Sequence, residues 1–279
     1  MIPTFWIDHG DALEHLKKKR DGLAQCCVTS PPYYRLRNYG TSTQLGQEAS
    51  VDEYVNKLVV IFRELKRVLS DDGTLWLNLG DSYADKNLLG VPWRTALALQ
   101  DDGWILRSDV IWHKTNPIPA GGGVHDRFTP AHEYVFLLAK NPHYFFNMEA
   151  ALEPLEHPDA TTPAGFGGYK QSGNETYSGK KYDASDLKGR RPRDVWSLPV
   201  ARYNGEHNAV MPDALAEKCI LAGTEVGDTV LDPFAGAGTT GLMANKLGRH
   251  FHGIELNELY VQEARRRIEG DSPLFARRN

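Results

Sequence analysis

The stretch "DTVLDPFAGAGTTG", Asp228 to Gly241, decides the fold. Its first five residues, Asp228 to Asp232, read as a short buried strand. Thr239 to Lys246 reads as a helix, and a glycine-rich turn joins the two. Gly236 and Gly238 allow positive φ or a close backbone approach. The helix start presents unpaired amide hydrogens to an anion. Downstream, "HFHGIE" (His250 to Glu255) reads as the next strand and Glu258 to Ile268 as a closing helix. Strand, helix and strand in this order mark a layered α/β unit.

Three anionic ligands suit such a turn. A triphosphate needs a P-loop ending Gly-Lys-Ser/Thr, and no lysine stands here. A dinucleotide needs G-x-G-x-x-G, a spacing that Gly236, Gly238 and Gly241 occupy. The carboxylate of S-adenosylmethionine is the third. Glu255, at the end of the following strand, can accept hydrogen bonds from both hydroxyls of a ribose, which suits NAD and S-adenosylmethionine alike.

Further elements extend the pattern upstream. Cys26 to Thr29 ends a buried strand. Tyr54 to Leu69 carries Leu58, Ile61, Phe62, Leu65, Val68 and Leu69 at helical steps, and Asp71-Asp72-Gly73 is expected to stop that helix. Thr74 to Leu79 reads as a strand, Pro92 to Gln100 as a helix with Pro92 in its first turn, and Ile105 to Trp112 and Glu133 to Leu138 as two more strands. From about Glu153 to Arg193 apolar periodicity gives way to Gly, Ser, Tyr, Lys and Arg, as in a long functional loop or a disordered insert. Helical patterning returns at Asp213 to Ala222.

Bulk properties narrow the class. With 279 residues, 41% hydrophobic and 24% charged, the chain has room for one large or two modest domains. No apolar run approaches the roughly 20 residues that span a bilayer, and the first residues do not resemble a signal peptide. Three cysteines, Cys26, Cys27 and Cys219, show neither metal-ligand spacing nor a disulfide framework, so a reducing, cytoplasmic setting and no metal are expected. The net charge of −4 does not advertise a nucleic-acid binder, yet only the face near phosphates needs to be basic.

A second stretch, "VTSPPYY" (Val28 to Tyr34), carries chemistry of its own. Pro31 and Pro32 make a stiff turn and donate no amide hydrogen. The Pro31 carbonyl and Ser30 can accept two hydrogen bonds beside the flat face of Tyr33. Two acceptors next to an aromatic plate can hold a planar ring by its exocyclic NH2. A strand-ending turn with a packed tyrosine is the plainer alternative.

Taken together, Ser30-Pro31-Pro32-Tyr33 after one strand and "DPFAGAGTT" (Asp232 to Thr240) after another resemble the amino-methylating DNA methyltransferases, which act on N4 of cytosine or N6 of adenine. With the base-binding turn first and the cofactor turn near the C-terminus, the order resembles the beta group. The likeness covers nearly the whole chain. It implies a Rossmann-like methyltransferase sheet, mostly parallel with one antiparallel strand and helices on both faces, plus a loop-rich target-recognition insert. Residues 1–150 would form the first, base-binding part of the catalytic domain, 151–205 the insert, and 206–279 the cofactor-binding part.

The cofactor implied is S-adenosylmethionine, held by Asp11 of "GDALEHL", Thr29, Asp232, Pro233, Phe234, Ala235, Gly236, Gly238, Thr239, Thr240 and Glu255. Ser30, Pro31, Pro32 and Tyr33 would be catalytic, positioning a neutral amine for direct methyl transfer without a covalent adduct. C5-cytosine enzymes need a Pro-Cys nucleophile, and no such dipeptide occurs. Cys26 and Cys27 read as core. The target base must be flipped from duplex DNA and restacked on Tyr33, helped by Tyr34.

Arg35 and Arg37 follow the turn, where each meets a phosphate or simply solvent. Asn78 and Asp81 of "LNLGDSY" are expected at the transfer cleft. Arg127 closes a loop that begins at Lys114 and contains Gly121-Gly122-Gly123, suited to clasping DNA. In the insert Lys170, Lys180, Lys181, Lys188, Arg190, Arg191 and Arg193 alternate with Tyr169, Tyr177 and Tyr182 and would meet phosphates. Gln171 and Asn174 would read base edges. Serine before Pro-Pro-Tyr leans by resemblance toward cytosine N4, with adenine N6 open. Double-stranded DNA is the expected partner, with a cognate restriction endonuclease in the same system and a monomer or homodimer as the active form. A nucleotide-cofactor oxidoreductase would leave the Ser-Pro-Pro-Tyr turn unexplained. An inactive DNA-binding relative is the third reading.

Overall fold

The computed structural model describes residues 3–37, 44–119, 124–154, 189–201, 210–271 and 277–278. In chain order the first elements are β1 (Thr4–His9), α1 (Ala12–Lys18), β2 (Ala24–Thr29), α2 (Val51–Val68), β3 (Leu69–Leu79), the small hairpin β4 (Tyr83–Ala84) and β5 (Asn87–Leu88), and α3 (Val91–Asp101). There follow β6 (Ile105–Lys114), β7 (His132–Ala139), α4 (Met148–Ala151), β8 (Val195–Leu198), α5 (Asp213–Gly223), β9 (Thr229–Asp232), α6 (Thr239–Lys246), β10 (His250–Glu255), α7 (Glu258–Asp271) and β11 (Arg277–Arg278).

Nine of these strands form one sheet in the order β11-β1-β10-β9-β2-β3-β7-β6-β8. All run parallel except β7, which is antiparallel to both β3 and β6. Residue alternation assigns the two faces. Cys26 and Val28 of β2, with Trp76 of β3, pack in one core with α5, α6 and α7; Cys27, Leu75, Leu77 and Leu79 pack in the other with α1, α2 and α3. The sheet is thus mostly parallel, with one antiparallel strand and helices on both faces, as the resemblance implied. Burial pushes the Cys26 thiol up to about 12, so this cysteine stays protonated in the core.

Helix α2 shows how local rules set the frame. Ser50 caps it by accepting from the Glu53 amide at 3.2 Å. Asp52 and Glu53 sit in the first turn and Lys66 and Arg67 in the last, each matching the helix dipole. Its end differs from expectation: the helix stops at Val68, and Asp71-Asp72-Gly73 lies inside β3. Ala24 pairs with Leu69 but Cys26 with Thr74, so these residues are absorbed in a bulge. The carbonyls of Asp72 and Gly73 there accept from the amides of Phe145 and Lys140.

The segment between Glu153 and Arg193 is only partly described. Lys170, Lys180, Lys181, Lys188, Tyr169, Tyr177, Tyr182, Gln171 and Asn174 lie outside the described residues, as does Gly121-Gly122-Gly123. Past them, β8 joins the sheet edge parallel to β6, pairing Trp112 with Trp196. The C-terminal end of the expected insert is therefore continuous with the catalytic sheet.

Candidate active site

Strand order brings the two motif turns together. From β9 the chain leaves by α6 toward β10; from β2 it leaves by α2, on the opposite face, toward β3. The crevice between β9 and β2 is thus a topological switch point at the carboxyl ends of the strands. Two hydrogen bonds tie it shut from below. The Thr29 hydroxyl donates to the Asp232 carboxylate at 2.6 Å, and the Thr240 hydroxyl donates to the Val28 carbonyl at 3.2 Å.

Above them opens a cleft of about 400 Å3. Ser30, Pro31, Pro32 and Tyr33 line one side of it. Asp11, Asp232, Pro233, Phe234, Ala235, Gly236, Thr239, Thr240 and Glu255 line the other. Thr29 and Gly238 stand behind this wall. Thr29 is buried, and a β-carbon on Gly238, whose φ is +77°, would lie 2.8 Å from the Ala264 methyl group of α7. Gly241 serves helix-to-strand packing in the same way, since a β-carbon there would sit 2.5 Å from the Phe251 ring.

The side formed by Asp232 to Thr240 and Glu255 carries two perturbed carboxylates. Burial raises Asp232 to about 6, against the hydrogen bonds of the Thr29 hydroxyl and the Phe234 amide. Burial also raises Glu255, whose two oxygens accept from the amides of Gly236 and Asn257 at 2.8 Å each. A carboxylate oxygen has room for a second acceptor bond, and Glu255 still borders the cleft, so it can take hydroxyl donors of a ribose. Phe234, braced edge-on by Phe62 at 6.4 Å, supplies an aromatic surface for a purine. Asp11 caps α1 through the Glu14 amide at 3.0 Å while lining the same end of the cleft. Acceptors for a diol, an aromatic surface for a base and a helix N-terminus for a carboxylate together fit S-adenosylmethionine.

On the side formed by Ser30 to Tyr33 the turn is rigid. Tyr54 donates to the Pro32 carbonyl at 2.9 Å, whereas among the described residues none donates to that of Pro31. Tyr33 packs on Gly80, where a β-carbon would stand 2.7 Å from the ring. Its hydroxyl donates to Glu133 at 2.7 Å and receives a bond from Ser30 at 3.2 Å. Glu133 also accepts from Asn78 at 3.0 Å and from Lys114 at 2.6 Å. Burial, followed by the charge of Glu133, pushes the Tyr33 phenol well above its usual value.

Other expected positions are spread more widely. Asn78 and Arg37 line the cleft, but Asp81 does not: its carboxylate accepts from the amides of Ser82, Gly90 and Val91, the last two opening α3. Tyr34 is buried against Tyr54 rather than beside Tyr33. Arg35, with φ of +53°, donates to the Ala49 carbonyl. Arg127 lies over the Tyr83 ring at 3.9 Å. Arg190 and Arg193 both pair with Glu153, while Arg191 is exposed. Sequence reasoning passed over Lys114 and Glu133 as functional residues. No local signal marked either one, because it is the β6–β7 register that brings them together.

Comparisons with known proteins agree with this geometry. A profile of the DNA methylase family matches residues 24–266. Type II methyltransferase M.SmaI of Serratia marcescens is 41% identical, covering 93% of this chain and 89% of its own. Type II methyltransferase M.Cfr9I of Citrobacter freundii is 39% identical, with 94% and 87% covered. Among solved structures, the putative DNA modification methylase TTHA0409 of Thermus thermophilus, complexed with S-adenosylmethionine, superposes with a TM-score of 0.66 at 25% identity over the whole of both chains. PvuII DNA methyltransferase, described as cytosine-N4-specific, gives a TM-score of 0.69 over 96% of this chain and 94% of its own, at 19% identity a likeness of fold alone. The chain belongs to the N6/N4 DNA methylase family and, as a DNA amino-methyltransferase, uses S-adenosylmethionine as its cofactor.

Proposed function

We propose that this chain methylates the exocyclic N4 of cytosine in double-stranded DNA, acting on a base flipped into the cleft between β2 and β9. The observation that carries the reading is the single cleft bordered by Ser30–Tyr33 on one side and Asp232–Thr240 with Glu255 on the other. Asp11, Phe234, the Asp232–Thr240 turn and Glu255 hold the cofactor, with Thr29 and Gly238 supporting from behind. Bound there, S-adenosylmethionine supplies an electrophilic methyl group.

Ser30 and the Pro31 carbonyl accept the two amino hydrogens and turn the nitrogen lone pair toward that group. Alignment of this kind is the main source of rate for such a reaction, and the same acceptors stabilise positive charge as it grows on nitrogen. Tyr33 stacks on the base and repays part of the flipping cost, about 1–3 kcal/mol. Serine at position 30 favours cytosine over adenine. Arg37, half-buried at the cleft, neutralises a phosphate beside the flipped nucleotide, and the segment 151–205 reads the flanking sequence. The type II names of the relatives suggest a role beside a cognate restriction endonuclease.

Incubation with S-adenosylmethionine and duplex DNA, digestion to nucleosides and mass spectrometry test the reading. N4-methylcytosine is expected. N6-methyladenine would move the activity to the other amino group, and no incorporation into DNA would overturn the assignment.

A further inference from the structure

Methylating an amino group leaves one hydrogen too many on the nitrogen, and the cleft contains a path for it. We propose that Ser30, Tyr33 and Glu133 form a proton relay that carries this hydrogen from the base to Glu133. The inference rests on the methyltransferase reading above and concerns the fate of the proton in that reaction.

The direction of the chain follows from its end. An ionised carboxylate is acceptor-only, so Tyr33 must donate to Glu133, at 2.7 Å. With its own hydrogen committed, the Tyr33 oxygen can only accept from Ser30, at 3.2 Å. Ser30 Oγ is then left with lone pairs and no hydrogen to offer, the state needed to receive an N–H. Lys114, paired with the other Glu133 oxygen at 2.6 Å, fixes the carboxylate at the end of the chain. The groups facing Glu133 are Lys114 from β6, Tyr33 from the turn after β2 and neutral Asn78 from β3. Burial and the charge of Glu133 raise the phenol, so Tyr33 passes a proton on without resting as phenolate.

The step balances. As the base nitrogen takes the methyl group, the carbon–sulfur bonding pair stays on sulfur. The nitrogen, now a strong acid, gives a proton to Ser30 Oγ. The Ser30 proton moves to the Tyr33 oxygen and the Tyr33 proton to Glu133 Oε2. Glu133 ends neutral, both hydroxyls are restored, and the base carries N–H and N–CH3.

The test uses full-length protein and a duplex methylated by the wild type. Glu133→Gln cannot take a proton, and Tyr33→Phe keeps the ring but cuts the chain. Each is expected to lower the single-turnover rate about 100-fold, a typical general-base contribution, with the double variant no slower than either. Cofactor affinity by calorimetry and base flipping by 2-aminopurine fluorescence should stay within about twofold. A full rate in either variant, or losses that multiply in the double variant, would overturn the relay. A loss matched by weaker flipping would also overturn it, reducing Glu133 to a positioning residue. A wild type that methylates nothing would defeat the methyltransferase reading instead.

Discussion

Replacing Asp232 with asparagine should make this protein more stable at neutral pH. Asp232 is buried, and burial raises its carboxyl from 3.8 to about 6. At 1.36 kcal/mol per pH unit, keeping that group ionised at pH 7 costs the fold about 3 kcal/mol. Asparagine removes the charge and keeps an oxygen for the Thr29 hydroxyl and the Phe234 amide, now at 2.6 and 3.0 Å. Its new amide hydrogens find one nearby acceptor in Thr240, and the other, left unpaired, gives back about 1–2 kcal/mol. The net gain is about 1–2 kcal/mol, or roughly 2–6 °C in Tm for a chain of this size. The sign depends on pH. Between 6 and 3.8 the folded wild type binds a proton that the unfolded chain does not, so its stability rises as pH falls and the advantage of asparagine disappears. By pH 4 the variant should be the less stable of the two. Calorimetric or fluorescence melts of both proteins from pH 8 to pH 4 read this directly. A difference that stays constant over the range would refute the electrostatic reasoning. Such a gain in stability would accompany lost activity, the trade expected where a site holds a charge that the fold disfavours.

Three further outcomes follow from the geometry. Glu255→Ala should weaken S-adenosylmethionine binding about 10- to 100-fold, the worth of hydrogen bonds to a charged acceptor, as measured by calorimetry; unchanged affinity would remove Glu255 from the cofactor wall. Gly80→Ala puts a methyl group 2.7 Å from the Tyr33 ring and should cut methylation about tenfold or more by displacing the base seat, with cofactor affinity intact because the opposite wall is untouched. Arg191→Glu should weaken DNA binding and reduce the magnitude of its log–log salt slope by about 1, whereas charge reversal at Arg190 also breaks the Glu153 pair and should lower Tm.

The parts of the site that sequence made legible are those in which local chemistry and function coincide. The β9–α6 turn and the Ser-Pro-Pro-Tyr turn announce themselves through glycine, proline and the strand before each, and both lie where the cleft opens. Residues placed by tertiary register did not announce themselves. Trp112 pairs with Glu133 across the antiparallel β6–β7 ladder. Lys114, two residues on, shares the face of Trp112 and so brings its amine to the Glu133 carboxylate. Nothing in "IWHK" or "HEYVF" discloses that pairing until the strand direction is known. Asp81 misled in the opposite way: in sequence it is an acid beside a catalytic strand, yet three backbone amides claim it and it serves to start α3. Tyr34 likewise follows Tyr33 in sequence, but the turn aims the pair apart and sends the second ring into the core.

The position of the cleft follows from one feature of the sheet. The chain crosses to the opposite face between β9 and β2, so neither α6 nor α2 covers the gap between them. Ser30 leaves one of these strands and Pro233 the other, and the Thr29–Asp232 bond ties the two strand ends together one residue before each turn. That bond joins residues 203 positions apart. Its cost, a carboxylate held in the core against its preference for water, falls on the residue that starts the cofactor turn. An acid there fixes the Phe234 amide and the Thr29 hydroxyl at once, which a neutral side chain would do with weaker bonds. The separation between donor and acceptor walls is then set by a buried contact rather than by either mobile ligand. A methyl transfer that relies on alignment needs that constancy, and this explains why the fold keeps a charge at a point where stability alone would select against it.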